Sequence, residues 1–268
     1  MELPVKDKIG KIKGYYDKKV KDNKGKSMSS MPDAILIDKE IELMLNYIND
    51  GDSILDVGCA NGYSTMKYAM AKKCRAKGID FSDSMIKDAK EESSKIKDKI
   101  KMELRFEVGD ASKLEEKDAQ FDKVISKRCV INLPSWDLQK KALSELVRVL
   151  KQGGEILMSE ASRQGWENMN KLRKEFNLNK IPQPWFNLYL DDDKLTAFMK
   201  ENNMEVIEIL NFSSTYYIGS RVLQPFIIGK GKEPRYDSEI NRLFSMLPNC
   251  GDYGTQKLYH FKKKNEKK

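Results

Sequence analysis

The sequence predicts a doubly wound α/β fold: a mostly parallel, seven-stranded sheet with helices on both faces and an aromatic cap. Three observations predict it. Short apolar runs alternate with helix-period segments between residues 53 and 160. The run SILDV passes straight into a turn containing Gly58 and Gly62. Acidic residues, Asp56, Asp80 and Asp110, close the first three strand-like runs.

Each element has its own signal. From Pro32, apolar residues at three- and four-residue spacing (Ile35, Leu36, Leu43, Met44, Tyr47) mark a helix that stops near Asn49-Asp50-Gly51. Strands follow at 53–57, 75–80, 104–110, 121–126 and 155–160, with helices at 62–72, 84–98 and 135–151 between them. The last of these carries Leu138, Ala142, Leu143, Leu146 and Val149 on one face and is expected to end at Gly153-Gly154. A short helix at 191–203, a sixth strand at 205–212 and a final strand at 257–263 complete the set.

The resulting organisation is a basic arm at 1–30, a core at 31–162, a cap insertion at 163–190, and a C-terminal part at 191–268. That last part contains a second cap segment at 212–250 and a basic tail. Both cap segments are rich in aromatic residues, which argues for lids over a site rather than for slack chain.

Composition narrows the function. A chain of 268 residues with 40% hydrophobic residues can bury one sizeable core or a core with a cap. No apolar run is long enough for a membrane span, and the N-terminus has no apolar signal segment. Four scattered cysteines without such a segment point to a reducing cytoplasm. They show no C-x-x-C pairing, and there is one histidine, so no metal site is expected and little room remains for a histidine-based catalytic triad. The net charge of +8 resides in the ends. Residues 1–28 hold nine lysines against four acids, residues 262–268 hold five against one, and the remainder is close to neutral. Solvated tails are the plain explanation, and a tether to an anionic partner is the sharper one.

The glycine turn is the most informative feature. A strand–turn–helix junction of this kind brings backbone close to a ligand and offers unpaired N–H groups at the helix start. The dinucleotide pattern G-x-G-x-x-G would need glycines at 58, 60 and 63, whereas the chain has Gly58, Ala60 and Tyr63. A carboxylate beside the turn, Asp56, suits a ligand carrying an amine better than one carrying a diphosphate. An acid at the end of the second strand, Asp80, suits ribose hydroxyls.

In this order, DVGCANG, GIDFSDSMIKDAK and FEVGDAS resemble the class I S-adenosylmethionine-dependent methyltransferases of the small-molecule type, over roughly residues 30–160. FDKVISKRCVINLPS and LVRVLKQGGEILMSE are similar to that family's fourth strand, following helix and fifth strand; Ala60 departs where the family often has a third glycine. The resemblance implies a Rossmann-like core with S-adenosyl-L-methionine as cofactor. It places Asp56 near the methionine amine and Gly58, Cys59 and Gly62 in the loop under the amino-acid moiety. Asp80 would hold the ribose, Phe81 and Met85 would pack around the adenine, and Asp110 and Ala111 would face its amino group and ring. Lys127 and Arg128 would lie beside the sulfonium and the acceptor. Tyr15 or Tyr16, with Tyr16 favoured, looks like an aromatic lid.

Methyl transfer from a sulfonium asks the protein mainly for alignment, which fits a chain with a single histidine. Glu160, at the end of the fifth strand, and Tyr216 are the candidate catalytic groups. Trp166, Trp185, Asn187, Tyr189, Tyr217 and Arg221 are the candidate acceptor-binding residues. Arg128, Arg163 and Arg221 leave room for an anionic acceptor. The reading is a methyltransferase acting on an O or N atom of a small molecule. A nucleic-acid or protein methyltransferase using the tails, a non-catalytic cofactor-binding module and a nicotinamide oxidoreductase stand behind it. Nucleic acid is disfavoured because the body is near neutral, and the oligomeric state is open. Asp80→Ala is expected to weaken nucleoside binding strongly, as read by calorimetry with S-adenosylhomocysteine; unchanged affinity would contradict the ribose assignment.

Overall fold

The computed structural model describes residues 5–22, 32–229 and 232–265. Seven strands form one sheet in the order β3-β2-β1-β4-β5-β7-β6. They are β1 (Ser53–Val57), β2 (Arg75–Asp80), β3 (Glu103–Val108), β4 (Phe121–Lys127), β5 (Leu150–Ala161), β6 (Met204–Leu210) and β7 (Gln256–Lys263). Strands β1 to β5 are mutually parallel, and β7 lies antiparallel between β5 and β6. The helices are α1 (Val5–Asp22), α2 (Ala34–Leu45), α3 (Tyr63–Ala71), α4 (Asp83–Ser94), α5 (Trp136–Val149), α6 (Arg163–Glu175), α7 (Asp192–Glu201), α8 (Ser214–Tyr217), α9 (Gln224–Ile228) and α10 (Glu239–Met246).

Side-chain alternation along the strands builds two cores. Ile54, Ile125, Leu157 and Leu258 point to one face and meet Leu36, Ile37, Ile41 and Met44 of α2 and Tyr68 of α3. Leu55, Val57, Val124, Ile156, Met158 and Tyr259 point to the other and meet Leu143, Leu146 and Val149 of α5 and Leu195 and Met199 of α7. Because both faces are covered, the central strands read as continuous apolar runs, the pattern of buried parallel sheets.

Several expectations change. Within the expected loose arm at 1–30, Val5–Asp22 is helix α1, and its Ile12 is buried; residues 1–4 and 23–31 lie outside the described residues. Half of the expected cap insertion is helix α6, capped by Ser162, whose hydroxyl accepts from Gly165 N at 3.0 Å. Its buried Gly165, Met169 and Arg173 recur every four residues, a helical stripe that the surrounding aromatics obscured. The second cap segment contains a continuous helical run, Ser214 to Ile228, with a wider turn at Ile218–Leu223, followed by α10. Helix α5 ends at Val149 and the chain enters β5 at once, so Gly153 and Gly154 sit inside a strand. A Cβ at Gly154 would lie 2.9 Å from the Asp122 carbonyl oxygen, so this glycine permits strand–strand approach rather than stopping a helix. The final strand runs as expected through Lys262 and Lys263 of β7. Lys263 Nζ donates to the carbonyls of Val147 and Leu150 at 2.7 and 2.8 Å.

One buried ion pair ties α2 to the sheet. Arg128, just past β4 and in the left-handed region (φ +49°), donates to both carboxylate oxygens of Glu40. Glu40 also accepts from Ser159 Oγ at 2.7 Å and is fully buried. Removing one partner of such a pair strands the other in a dry interior. Glu40→Ala is therefore expected to destabilise the fold by about 3–5 kcal/mol, measured by urea unfolding; a loss below about 1 kcal/mol, the level of an exposed pair, would contradict it.

Candidate functional site

A cavity of about 780 Å³ opens at the C-terminal ends of β1, β2, β3 and β4. The sheet order reverses between β1 and β4, so the loops after these strands part there and leave a crevice. The volume falls within the range of about 300–1,000 Å³ usual for small-molecule sites.

The loop after β1 forms its floor. Gly58 has φ +76°, and a Cβ there would lie 2.4 Å from Cys129 Cβ, so conformation and space both demand glycine. Gly58 N and Cys59 N donate to the Ile79 carbonyl at 2.8 and 2.9 Å, pinning the loop to β2. Ala60 sits at φ +50°, a left-handed position in which a side chain costs about 1–2 kcal/mol. Gly62 (φ +72°) begins α3, with no room for a Cβ against the Phe106 ring at 2.5 Å. It shapes the loop from behind and does not line the cavity.

The three strand-end acids have different surroundings. Asp80 lines the cavity and accepts from Ala60 N at 2.9 Å and Ser82 N at 3.0 Å. Burial nevertheless pushes its carboxyl up to about 6, against the pull of those N–H groups. Asp110 is exposed on the cavity rim and accepts from Ser112 N and Oγ, each at 2.8 Å. Asp56 is fully buried behind the wall. Its Oδ2 accepts from Thr65 Oγ1 at 2.6 Å, and its Oδ1 has no partner. Burial raises its pKa, while Lys127 and the Thr65 hydroxyl pull it down.

Phe81, Met85, Ala111, Lys127, Arg128 and Asn187 also line the cavity, as does Cys59. Burial pushes the thiols of Cys59 and Cys129 well up, so both act as wall rather than nucleophile.

Helix α1 closes one side with Ile9, Ile12, Tyr15 and Tyr16. It is held to α4 by Asp17, which accepts from Ser82 Oγ and Ser84 Oγ at 2.6 Å each, and by Lys13 with Asp83 at 3.0 Å. Tyr15 packs on Phe186 with ring centroids 4.7 Å apart. Asn132 joins three segments: its Oδ1 accepts from Tyr16 OH at 3.3 Å and Asn187 Nδ2 at 2.7 Å, and its Nδ2 donates to the Arg128 carbonyl at 2.7 Å. Asn132, Ser64, Ile37 and Phe186 were not singled out from the sequence. Asn132 lies in NLPSW directly after a strand end and Phe186 in the aromatic segment 163–190, which were the available signals; Ser64 and Ile37 carried none.

The remaining candidates lie elsewhere. Glu160 does not face the cavity. Its carboxylate accepts from Ser126 Oγ at 2.9 Å and from the N–H groups of Cys129, Val130 and Ile131 at 3.0, 3.1 and 3.4 Å, capping the turn after β4. Burial pushes it up to about 7 while those donors oppose the shift. Tyr216 is fully buried and donates to Asp33 Oδ1 at 2.6 Å, and Arg221 donates to Asp33 Oδ2 at 2.6 Å. Asp33 in turn caps α2 through Leu36 N. Tyr217 packs against Arg221. Trp166 donates to the Ile181 carbonyl at 2.9 Å and meets Tyr189 edge-on, and Trp185 is half exposed beside Tyr15 and Phe186. Glu160, Trp166, Trp185, Tyr189, Tyr216, Tyr217 and Arg221 do not line the cavity; its apolar wall comes from α1, from α2 and from Pro184 and Phe186, which belong to the expected cap insertion. Among the described residues no cluster of three or more His, Cys, Asp or Glu side chains could hold a metal ion, and no helix is long and apolar enough to cross a membrane.

An adenosyl amino-acid cofactor fits this donor set. Asp80 offers acceptor lone pairs to a diol, Phe81, Met85 and Ala111 offer an apolar slot to a flat ring, and Asp56 keeps an orphaned carboxylate oxygen behind the glycine loop. The sequence model of the family described as "Methyltransferase domain" matches residues 48–212, more than half of the chain. The 27-O-demethylrifamycin SV methyltransferase of Amycolatopsis mediterranei is 30% identical over 41% of this chain and 39% of its own length. Ajmaline N-methyltransferase of Rauvolfia serpentina is 29% identical over 64% and 58%. The chain thus spans less than two thirds of either relative. The magnesium protoporphyrin IX methyltransferase of Synechocystis PCC 6803, solved with bound SAH, superposes with a TM-score of 0.59 over 93% of this chain and 94% of that one, at 12% identity, a likeness of fold. Family match, sheet order and cavity together make the chain a member of the methyltransferase-domain family, of the class I kind that uses S-adenosylmethionine.

Proposed function

We propose that this chain catalyses methyl transfer from S-adenosylmethionine to an O or N atom of a small, largely apolar acceptor. The observation that carries the reading is one continuous cavity. Asp80 and Asp110 line it at the strand tips, and Ile9, Ile12, Ile37, Leu133 and Phe186 add an apolar wall. Bound S-adenosylmethionine supplies an electrophilic methyl group. The chain contributes alignment: Asp80 fixes the ribose, Phe81 and Met85 fix the base, and Tyr16 and Asn187, both tied to Asn132, hold one side of the cavity in place. The relatives named for rifamycin and ajmaline substrates support a small-molecule acceptor.

The three arginines that left room for an anionic acceptor each have a carboxylate within the fold: Arg128 with Glu40, Arg163 with Asp191, and Arg221 with Asp33. Their charge is committed within the fold, which supports an uncharged acceptor. Glu160 and Tyr216 have committed hydrogen bonds away from the cavity, and burial pushes the Tyr16 hydroxyl up, so none of them serves as a base. The attacking atom must already present a lone pair, or pass its proton to water.

Radiolabelled S-adenosylmethionine incubated with panels of uncharged and anionic heterocycles or phenols tests the proposal. Label is expected in uncharged acceptors and absent from RNA and protein; label in RNA alone would overturn it. The titration of Asp80 gives a second check. Its folded-state pKa of about 6 lies above the ordinary value of 3.8, so the unliganded fold retains a proton that the unfolded chain loses, and this group's contribution to stability declines as pH rises from about 4 to 6. Ligand binding runs the other way, because ribose hydroxyls donate to the ionised carboxylate. Affinity for S-adenosylhomocysteine is expected to rise from pH 5 to 7, approaching tenfold per unit below about 6, and to be flat in Asp80→Asn. A wild-type profile as flat as the variant's would contradict the assignment.

A further inference from the structure

Helix α1 bridges the cavity. At one side Tyr16 donates to Asn132, and at the other Asp17 Oδ1 accepts from Ser82 Oγ and Ser84 Oγ at 2.6 Å each. The second attachment meets the site's own acid. Ser82 is fully buried, and its N–H donates to Asp80 Oδ1 at 3.0 Å. One serine therefore stands between two carboxylates, Asp17 on the helix that closes the cavity and Asp80 lining it. Burial raises the Asp80 pKa most, and the like charges of Asp56 and Asp17 raise it further. Docking alone does not call for a charge at Asp17, because an uncharged amide oxygen would also accept from two hydroxyls. A carboxylate there adds repulsion across Ser82 to the empty site.

Ligand binding changes that balance. Ribose hydroxyls donating to Asp80 offset its charge, so α1 docks more tightly over an occupied site than over an empty one. Resting on the S-adenosylmethionine reading, we infer that Asp17 is a positioning residue: acting across Ser82, it makes the docking of α1 answer to what Asp80 holds. Because α1 carries Ile9 and Ile12, the apolar wall for the acceptor is completed after the cofactor binds, and binding is ordered, cofactor first. The coupling is reciprocal, so a docked α1 tightens the cofactor by the same factor. The other titratable groups that feel Asp80 are Asp56 of β1, Cys59 after β1, Cys129 after β4 and Tyr16 of α1. Asp56 is fixed in the wall, burial keeps the thiols and the phenol neutral, and Lys13 and Asp83 pair with each other. Of this set, Asp17 is the carboxylate that α1 carries.

Hydrogen exchange over residues 5–22, read as protection relative to the free-chain rate, tests this with S-adenosylhomocysteine as the probe. At neutral pH the saturating ligand is expected to raise protection of α1 about fivefold or more, the usual scale of coupling between sites. Asp17→Asn keeps an acceptor for both serines and removes the charge. Its empty form is expected to be better protected than empty wild type, and the ligand to add less than about twofold. Lys13→Met removes only the exposed pair with Asp83 and is expected to keep the wild-type response. Wild type alone gives a second arm, free of any folding defect in a variant. As pH falls from 7 to 5, Asp80 takes up a proton around pH 6, the repulsion ends, and protection of empty α1 is expected to rise. A merely structural contact would produce neither response. The inference is overturned by a ligand response in Asp17→Asn equal to that of wild type, by α1 exchanging equally fast in liganded and empty wild type, or by protection that stays level between pH 7 and 5. If calorimetry showed no binding of S-adenosylhomocysteine to wild type, the S-adenosylmethionine reading would fall, a result on which the pH arm does not depend.

Discussion

The site depends on the contact between the backbone of Gly58 and the side chain of Cys129, across the gap between the loops that follow β1 and β4. These strands are neighbours, yet their connections leave toward opposite sides of the sheet. The loops must therefore separate above them while their bases stay in contact. A left-handed glycine with no room for a Cβ is what lets the first loop turn flat against the second. Two N–H groups of that loop then bond one carbonyl of β2, which sets the height of the floor and brings Asp80 against Ala60 N. The cavity, the placement of its acids and the start of α3 all follow from this approach.

Charge around the cavity is arranged by burial as much as by pairing. Glu40 neutralises Arg128 on the cavity wall, and Asp33 holds Arg221 and Tyr216 at the start of α2. Glu160 caps a turn with one carboxylate and four donors. These groups shape the wall by keeping the backbone after β4 and the start of α2 in place, so their chemistry is structural. What remains for a ligand is Asp80, Asp110, Glu115 and Lys127, set among apolar and neutral polar surfaces. A reaction whose driving force lies in its donor needs a cavity that aligns the reactants more than it needs a proton shuttle.

The lid also shows how a weakly patterned segment acquires order. Helix α1 has few apolar residues, but Ile12 is buried and Asp17 meets two serine hydroxyls at the start of α4. Its order comes from docking, since an isolated polar, lysine-rich helix has little intrinsic stability in water.

By itself, the sequence determined what local chemistry and period can encode. Alternating apolar runs set the strands and the helices between them, and the glycine turn with an acid at each of three strand ends pointed to the strand tips where the cavity lies. These signals are legible because each lies within a few residues and a buried parallel strand tolerates little but apolar side chains. Only the tertiary structure decided which polar residues face the cavity. Glu160 and Lys127 both stand at strand ends, yet one bonds backbone N–H groups and the other lines the wall; sequence spacing is the same for either outcome. The aromatic segments at 163–190 and 212–236 read as an acceptor cap because aromatic density signals a surface to be covered. Which surface they cover depends on partners far along the chain, such as Asp33 for Tyr216 and Ile181 for Trp166. Pro184, Phe186 and Asn187 of the first segment do reach the cavity, where they join α1 and α2, because long-range docking, which leaves no local pattern, brought these pieces together over the strand tips.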